Sequence, residues 1–451
     1  MKVSMAAIDS SSPAPTIDSP RGKALADVAA AVLPGGVNSA TRYIGEPYAF
    51  AAADGAWVTD VDGRRYLDYH AAFGAILLGH NSPIVNEAVA STVGNLDLMG
   101  IGVTELEIQL AQRVIDVVPS AEMTISTMSG SEAVAQAVRL ARAATGRRYL
   151  VKVQGGFHGW NGSVARNVIS APDKAYGRDP LSAGILDEVV DGTLIAEFND
   201  LSSIEELFSR YPEQIAAVIT EPIPHNVGAL VPTQEFVTGL RRLTSEYGAL
   251  LVFDEVITGF RHALGGYQQV CGVTPDLTTF GKGMANGLPI GGLAGRRDLM
   301  ERFDGRSGDV LLAGTFNGNP LSSVAAIATI DYLRVNPDFY TRTYALGDRM
   351  RAGLQTIVDE LGLHATVAGF GGVFCLYFAD GPIRGYRDLL RNNGEAYVTF
   401  HRRMIEAGHL MLPLALKRNH ISGAHTEQDI DSTLDAARTV LKGMQADGVT
   451  R

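Results

Sequence analysis

The chain is poor in the residues that staple, metallate or anchor a protein. Of its 451 residues only Cys271 and Cys375 are cysteines. That is too few for a disulfide framework, and they lack the C-x-x-C spacing of a zinc or redox site. A reducing, cytoplasmic setting without a bound metal is therefore expected. No run of about 18 uncharged apolar residues occurs, so no membrane-spanning helix is expected. Positive charge is scarce as well: 38 Lys+Arg against 49 Asp+Glu leave a net charge of −11, which argues against a surface for nucleic acid or anionic lipid. An anionic ligand then needs its own local site.

What is present reads as a folded, multi-domain chain. Hydrophobic residues make up 46% with 50 Gly and 19 Pro, a globular composition, and the length exceeds what one core supports. Residues 1–20, with Ser10-Ser11-Ser12-Pro13 and no apolar h-region, are expected to form a mobile polar leader rather than a signal peptide. Residues 24–33 read as a helix and 56–69 as a hairpin turning at Asp62-Gly63. Ile215 to Ile219 and Ala249 to Phe253 are continuous apolar runs of the kind buried on both faces of a sheet. Between them Gln234 to Tyr247 reads as a helix closed by Gly248, giving a β-α-β unit. The acids that follow the two runs, Glu221 and Asp254, then share one sheet edge, where open α/β sheets bind ligands. After about residue 335 a helix, short strands near Gly372 to Phe378 and a final helix from Thr426 to Met444 suggest a smaller C-terminal domain. The expected division is 21–80 and 336–451 for a small domain and 81–335 for a large one.

Five local features are candidates for chemistry. Ser129-Gly130-Ser131-Glu132-Ala133 opens a long helix, where free N–H groups and hydroxyls suit a phosphate, although a plain Ser N-cap is the commoner meaning. Asp254 ends an apolar strand, where an ionised carboxylate needs a cationic partner such as a protonated pyridine, or else serves a structural ion pair. Lys282, between Gly281 and Gly283, has no obvious carboxylate partner nearby in sequence. A desolvated lysine is a nucleophile toward carbonyls, whereas most lysines are solvated surface charges. Phe157-His158-Gly159 could stack a flat ring, though such residues are more often core and structural. Thr315 could equally be a turn hydroxyl.

Taken in order, Ser129-Gly130-Ser131-Glu132-Ala133, Phe157-His158-Gly159, Glu221-Pro222, Asp254-Glu255-Val256, Gly281-Lys282-Gly283 and Gly314-Thr315 resemble the class III, fold-type I, pyridoxal-phosphate (PLP) aminotransferases over about residues 30–440. Within that family Pro34-Gly35-Gly36-Val37-Asn38-Ser39, Thr104-Glu105-Leu106-Glu107 and Ala424-His425-Thr426-Glu427 are similar to the glutamate-1-semialdehyde 2,1-aminomutase subgroup. The resemblance implies an α/β fold with a mostly parallel seven-stranded sheet between helices, plus a small α+β domain built from N- and C-terminal segments. It implies that Lys282 holds the cofactor as a Schiff base and shuttles the substrate proton, and that Asp254 keeps the pyridine nitrogen protonated. Ser129, Gly130 and Ser131 would hold the phosphate, Phe157, His158, Glu221 and Val256 would complete the cofactor site, and Thr315 would reach the phosphate of a neighbouring subunit in a homodimer. Arg42 and Trp160 are the expected substrate contacts, Arg42 matching an arginine that grips the substrate carboxylate.

Three departures separate the chain from that subgroup. Trp160-Asn161-Gly162 and a divergent stretch to Asn199 replace its gating segment, Leu416-Lys417 stands where a Phe-Glu pair is usual, and His225 replaces a Gly. Without the gate a product is released rather than retained. The expectation is therefore a ping-pong transaminase moving an amino group from a β- or other non-α-amino acid to a keto acid. An aminomutase or a PLP lyase on the same scaffold are the alternatives, and a regulatory protein without catalysis is the remote one.

Overall fold

Apolar runs separated by glycine-rich turns and amphipathic helices build one central sheet. In the computed structural model, which describes residues 19–43 and 48–450, its strands are β1 (Met123–Thr127), β2 (Tyr149–Val153), β3 (Thr193–Ala196), β4 (Ile215–Thr220), β5 (Leu250–Asp254), β6 (Leu277–Gly281) and β7 (Gly291–Gly295). They lie in the order β1-β7-β6-β5-β4-β2-β3. The pairs of β2 with β3 and β4, of β4 with β5 and of β5 with β6 are parallel, whereas β7 runs antiparallel to both β1 and β6. The mostly parallel seven-stranded sheet expected from the resemblance is therefore present. The expected leader falls almost wholly on residues 1–18, outside the described residues.

Successive strand residues point to opposite faces, and the packing follows that period. Leu251 and Phe253 of β5 join Val218 of β4, Val151 and Val153 of β2, and Phe236, Leu240 and Leu243 of the helix Gln234–Glu246. Leu250 and Val252 join Ala217, Ile219 and Leu150 against Val134, Ala137 and Ala141 of the helix Gly130–Thr145. Both faces are covered, which is why these strands read as unbroken apolar runs. The expected β-α-β unit is borne out, with β5 extending to take in Asp254 itself. Gly248, at φ +63°, makes the turn out of the helix that an L side chain would resist.

The hairpin expected around Asp62-Gly63 forms, with Thr59 paired to Arg65. Its second strand, Arg65–Asp68, also pairs in parallel with His409–Leu410, so N- and C-terminal segments share one four-stranded sheet. Leu67 and Tyr69 pack with Leu354, Phe400, Leu441 and Met444. The last helix, Glu427–Ala446, starts at the Thr426/Asp429 capping box. Among the described residues no helix is long and apolar enough to cross a membrane.

Candidate active site

The parallel strands deliver their chemistry to one edge. At the end of β1, Ser129 caps the 16-residue helix Gly130–Thr145 by accepting from the Glu132 amide at 3.3 Å, and Glu132 in turn accepts from the Met128 amide at 2.8 Å. Gly130 is a close approach: a Cβ there would sit 2.7 Å from both γ-methyls of Val256. Gly159, at φ +91°, lies so near Ser131 that a side chain would collide with its hydroxyl. The N–H groups of this helix start, the Ser129 and Ser131 hydroxyls and the positive dipole end are together suited to hold a phosphate.

Next along the edge, the turn after β2 is tied to its neighbours. The Phe157 amide donates to Glu221 Oε1 at 2.8 Å, directly after β4. His158 Nδ1 lies 2.7 Å from Asp254 Oδ2 at the end of β5. Asp254 Oδ1 accepts from the Val256 amide and the Thr279 hydroxyl, both at 3.1 Å. Asp254 is 3% exposed, and its carboxylate is held by donors on both oxygens. Burial pushes the Glu221 carboxyl up, against the pull of His158.

Lys282 follows β6 in the left-handed region, φ +46°, a conformation that costs a non-glycine residue about 1–3 kcal/mol and is found at functional sites. Burial, with the charge of Arg418, draws its amine down to about 8, against Asp254 and Glu221. Such an amine is uncharged in useful amounts near neutrality and able to attack an aldehyde.

A cavity of about 280 Å³ joins these groups. Its lining includes Ser129, Gly130, Ser131, Phe157, His158, Glu221, Asp254, Val256 and Lys282, all of them site residues expected from the sequence. Three others lie apart from it. Arg42 sits in the exposed turn Ala40–Arg42, Trp160 is 72% exposed, and Thr315 is exposed in the single chain.

The Aminotransferase class-III family model matches residues 39–427. The chain belongs to the class-III aminotransferase family. Its curated relatives include a protein of Methanosarcina acetivorans named glutamate-1-semialdehyde 2,1-aminomutase, 40% identical over 92% of this chain and 97% of the relative. Among solved structures it is similar to an omega-transaminase from Sphaerobacter thermophilus, at 31% identity and TM-score 0.88 over 94% and 98% of the two chains. It also matches a transaminase with PLP bound, at 30% identity and TM-score 0.87 over 96% and 100%.

Pyridoxal 5'-phosphate is the cofactor of this family member, and the residues that line the cavity fit it: a helix start suited to a phosphate, a buried acid and a lysine of lowered basicity. The sequence reading missed the turn at residues 71–75. There Ala71, Ala72 and Phe73 are all left-handed, at φ +47°, +49° and +59°, ahead of Gly74 at +87°. The turn is held by Arg418 donating to the Phe73 carbonyl at 2.9 Å and Arg261 to the Gly74 carbonyl at 2.8 Å. Ala75, next in the chain, lines the cavity. Nothing in Ala71-Ala72-Phe73 announces such a turn, because its cause is two arginines far away in sequence.

Proposed function

We propose that the enzyme relocates an amino group on a small carboxylate-bearing substrate. The first reading is a glutamate-1-semialdehyde 2,1-aminomutase; the second is a transaminase on a β- or other non-α-amino acid. Kinship carries the first: four curated relatives with the aminomutase name are 38–40% identical across 91–94% of this chain. This order reverses the one that the sequence departures suggest. The second reading keeps support in the site. Buried Lys417, where the resemblance leads one to expect an acid, bonds Asn226 Oδ1. The stretch replacing the gate is pinned to the small domain: Tyr386 donates to the Ser170 carbonyl at 2.8 Å, and Glu197 binds both Tyr176 and Arg387, the latter at 3.1 Å. A pinned segment suits release of product better than its retention between half-reactions.

The proposed roles are common to both readings. The cofactor, when bound, supplies an aldehyde carbon and a cationic ring that draws electrons from the substrate carbon. Lys282 Nζ takes and returns the proton at that carbon. Asp254 presents the carboxylate that keeps the ring nitrogen protonated, oriented by His158 and the Val256 amide. Ser129, Gly130 and Ser131 hold the phosphate, while Phe157 and Val256 enclose the ring. A homodimer adds Thr315 from the neighbouring copy and brings Arg42 and Trp160 toward the substrate. Exposed apolar residues such as Ile101, Val103, Leu311 and Phe316, 88%, 66%, 70% and 56% exposed, are suited to cover one another at such an interface. Residues 21–80 and 336–451 are assigned to the small domain and 81–335 to the large one. A cytoplasmic setting rests on the scarcity of cysteine.

An absorbance titration of the holoenzyme with α-, β- and ω-amino compounds and with glutamate-1-semialdehyde, with and without keto acid, tests the proposal. Turnover of the semialdehyde alone supports the aminomutase. A donor that changes the cofactor spectrum, restored by pyruvate or 2-oxoglutarate, supports the transaminase. Release of ammonia or phosphate without an acceptor marks a lyase, and silence toward every amine overturns both readings.

A further inference from the structure

We propose that Lys152, a buried lysine of β2 outside the cavity, is a positioning residue that holds the Phe157–His158 turn in place for the cofactor. Its Nζ donates to three backbone carbonyls: Gly156 at 2.7 Å, Arg166 at 2.5 Å and Val164 at 3.4 Å. Three acceptors match the three N–H donors of an ammonium, whereas an uncharged amine would turn a lone pair toward one of them. Lys152 is 0% exposed, and burial draws it down to about 7, against the charge of Glu221. The carbonyls oppose that pull by solvating the cation. No carboxylate pairs with Lys152 among the described residues, so ion pairing does not account for a lysine at this position.

The place of the turn makes the inference specific. Three consecutive residues are each tied to a different strand, and those strands are neighbours in the sheet: the Gly156 carbonyl to Lys152 of β2, the Phe157 amide to Glu221 after β4, and the His158 ring to Asp254 of β5. Both Phe157 and His158 line the cavity. The Arg166 and Val164 carbonyls belong to the return leg of the same loop, so the ammonium fastens the two legs together beside the bonds of Gln154 and Gly155 to Asn167. Released from Lys152, the Gly156 carbonyl loses its side-chain donor while the Gly155 and Gly156 amides keep their bonds to the Asn167 and Val153 carbonyls, and Phe157 and His158 lose their fixed height above the sheet edge. The inference needs only cofactor binding, so it stands or falls apart from the choice of substrate.

The test is titration of pyridoxal phosphate into cofactor-free protein, read by absorbance, for the parent, Lys152→Met and Lys152→Gln, with the melting of each cofactor-free protein followed alongside. Bonds to a charged donor set the expected size: Lys152→Met weakens cofactor binding by roughly tenfold or more and shifts the absorbance maximum or its pH midpoint. Lys152→Gln, which keeps two donors, falls between Met and the parent and covers the case that Met does not fold. Parent-like affinity and spectrum in a folded Met or Gln variant overturn the proposal. Lower melting with unchanged affinity and spectrum overturns it too, since Lys152 would then be purely structural.

Discussion

Two lysines at the edge of one sheet, Lys152 buried and Lys282 half-buried, differ in what their amines meet. Lys152, on β2, spends its donors on three carbonyls. Lys282, after β6, has no hydrogen-bond partner among the described residues and faces a cavity. Burial pulls both down, to about 7 and about 8, so lowered basicity does not tell them apart. What separates them is where the N–H groups go. A lysine whose donors are all taken is suited to anchor; one held in a left-handed conformation at a cavity wall with its amine free is suited to attack a carbonyl.

The largest effect expected from breaking that contrast is on chemistry. Lys282→Ala is predicted to lower amino transfer by at least about 10²–10⁴-fold and to abolish borohydride fixation of the cofactor. A reducible label found on Lys152 in that variant would invert the comparison. Second comes the sheet that carries both lysines: Leu251→Ala, at a side chain 0% exposed between them, is predicted to cost about 2–5 kcal/mol of stability, measured by denaturant unfolding, with the site chemistry retained in the folded fraction. Third is pH. The attacking form of Lys282 is the uncharged amine, so aldehyde capture by cofactor-free protein, trapped with cyanoborohydride, rises about tenfold per pH unit from the acid side. It levels above about 8; a rise continuing past pH 10 would mean a solvated lysine. Smallest is the surface tie of the pinned loop. Arg387, 72% exposed in its pair with Glu197, is predicted to contribute less than about 1 kcal/mol, and Arg387→Ala is expected to leave melting nearly unchanged.

Much of the cavity lining was legible because its parts are local. Ser129-Gly130-Ser131 at a helix start, Asp254 at the end of an apolar strand and Lys282 between glycines each carry their meaning within a few residues, and parallel strands necessarily bring their ends together. Lys152 left a signal that went unread, a lone lysine inside the apolar run Tyr149 to Val153. The substrate end was less legible. Arg418 and Arg261 act on carbonyls of residues 73 and 74, and the pinning of residues 170–197 depends on Tyr386 and Arg387, more than 180 positions onward.

By itself the sequence determined the sheet's buried strands, the order along its edge of the residues that line the cavity and membership of the PLP enzymes, since hydrophobic period, capping and short motifs are properties of neighbouring residues. The tertiary structure alone decided that the donors of Lys152 are all taken by backbone carbonyls, why Ala71 to Gly74 adopts a left-handed turn, and how the loop after His158 is fastened. Those outcomes depend on which donor meets which acceptor across long separations, and backbone carbonyls, identical in every residue, leave no mark of that pairing in the sequence.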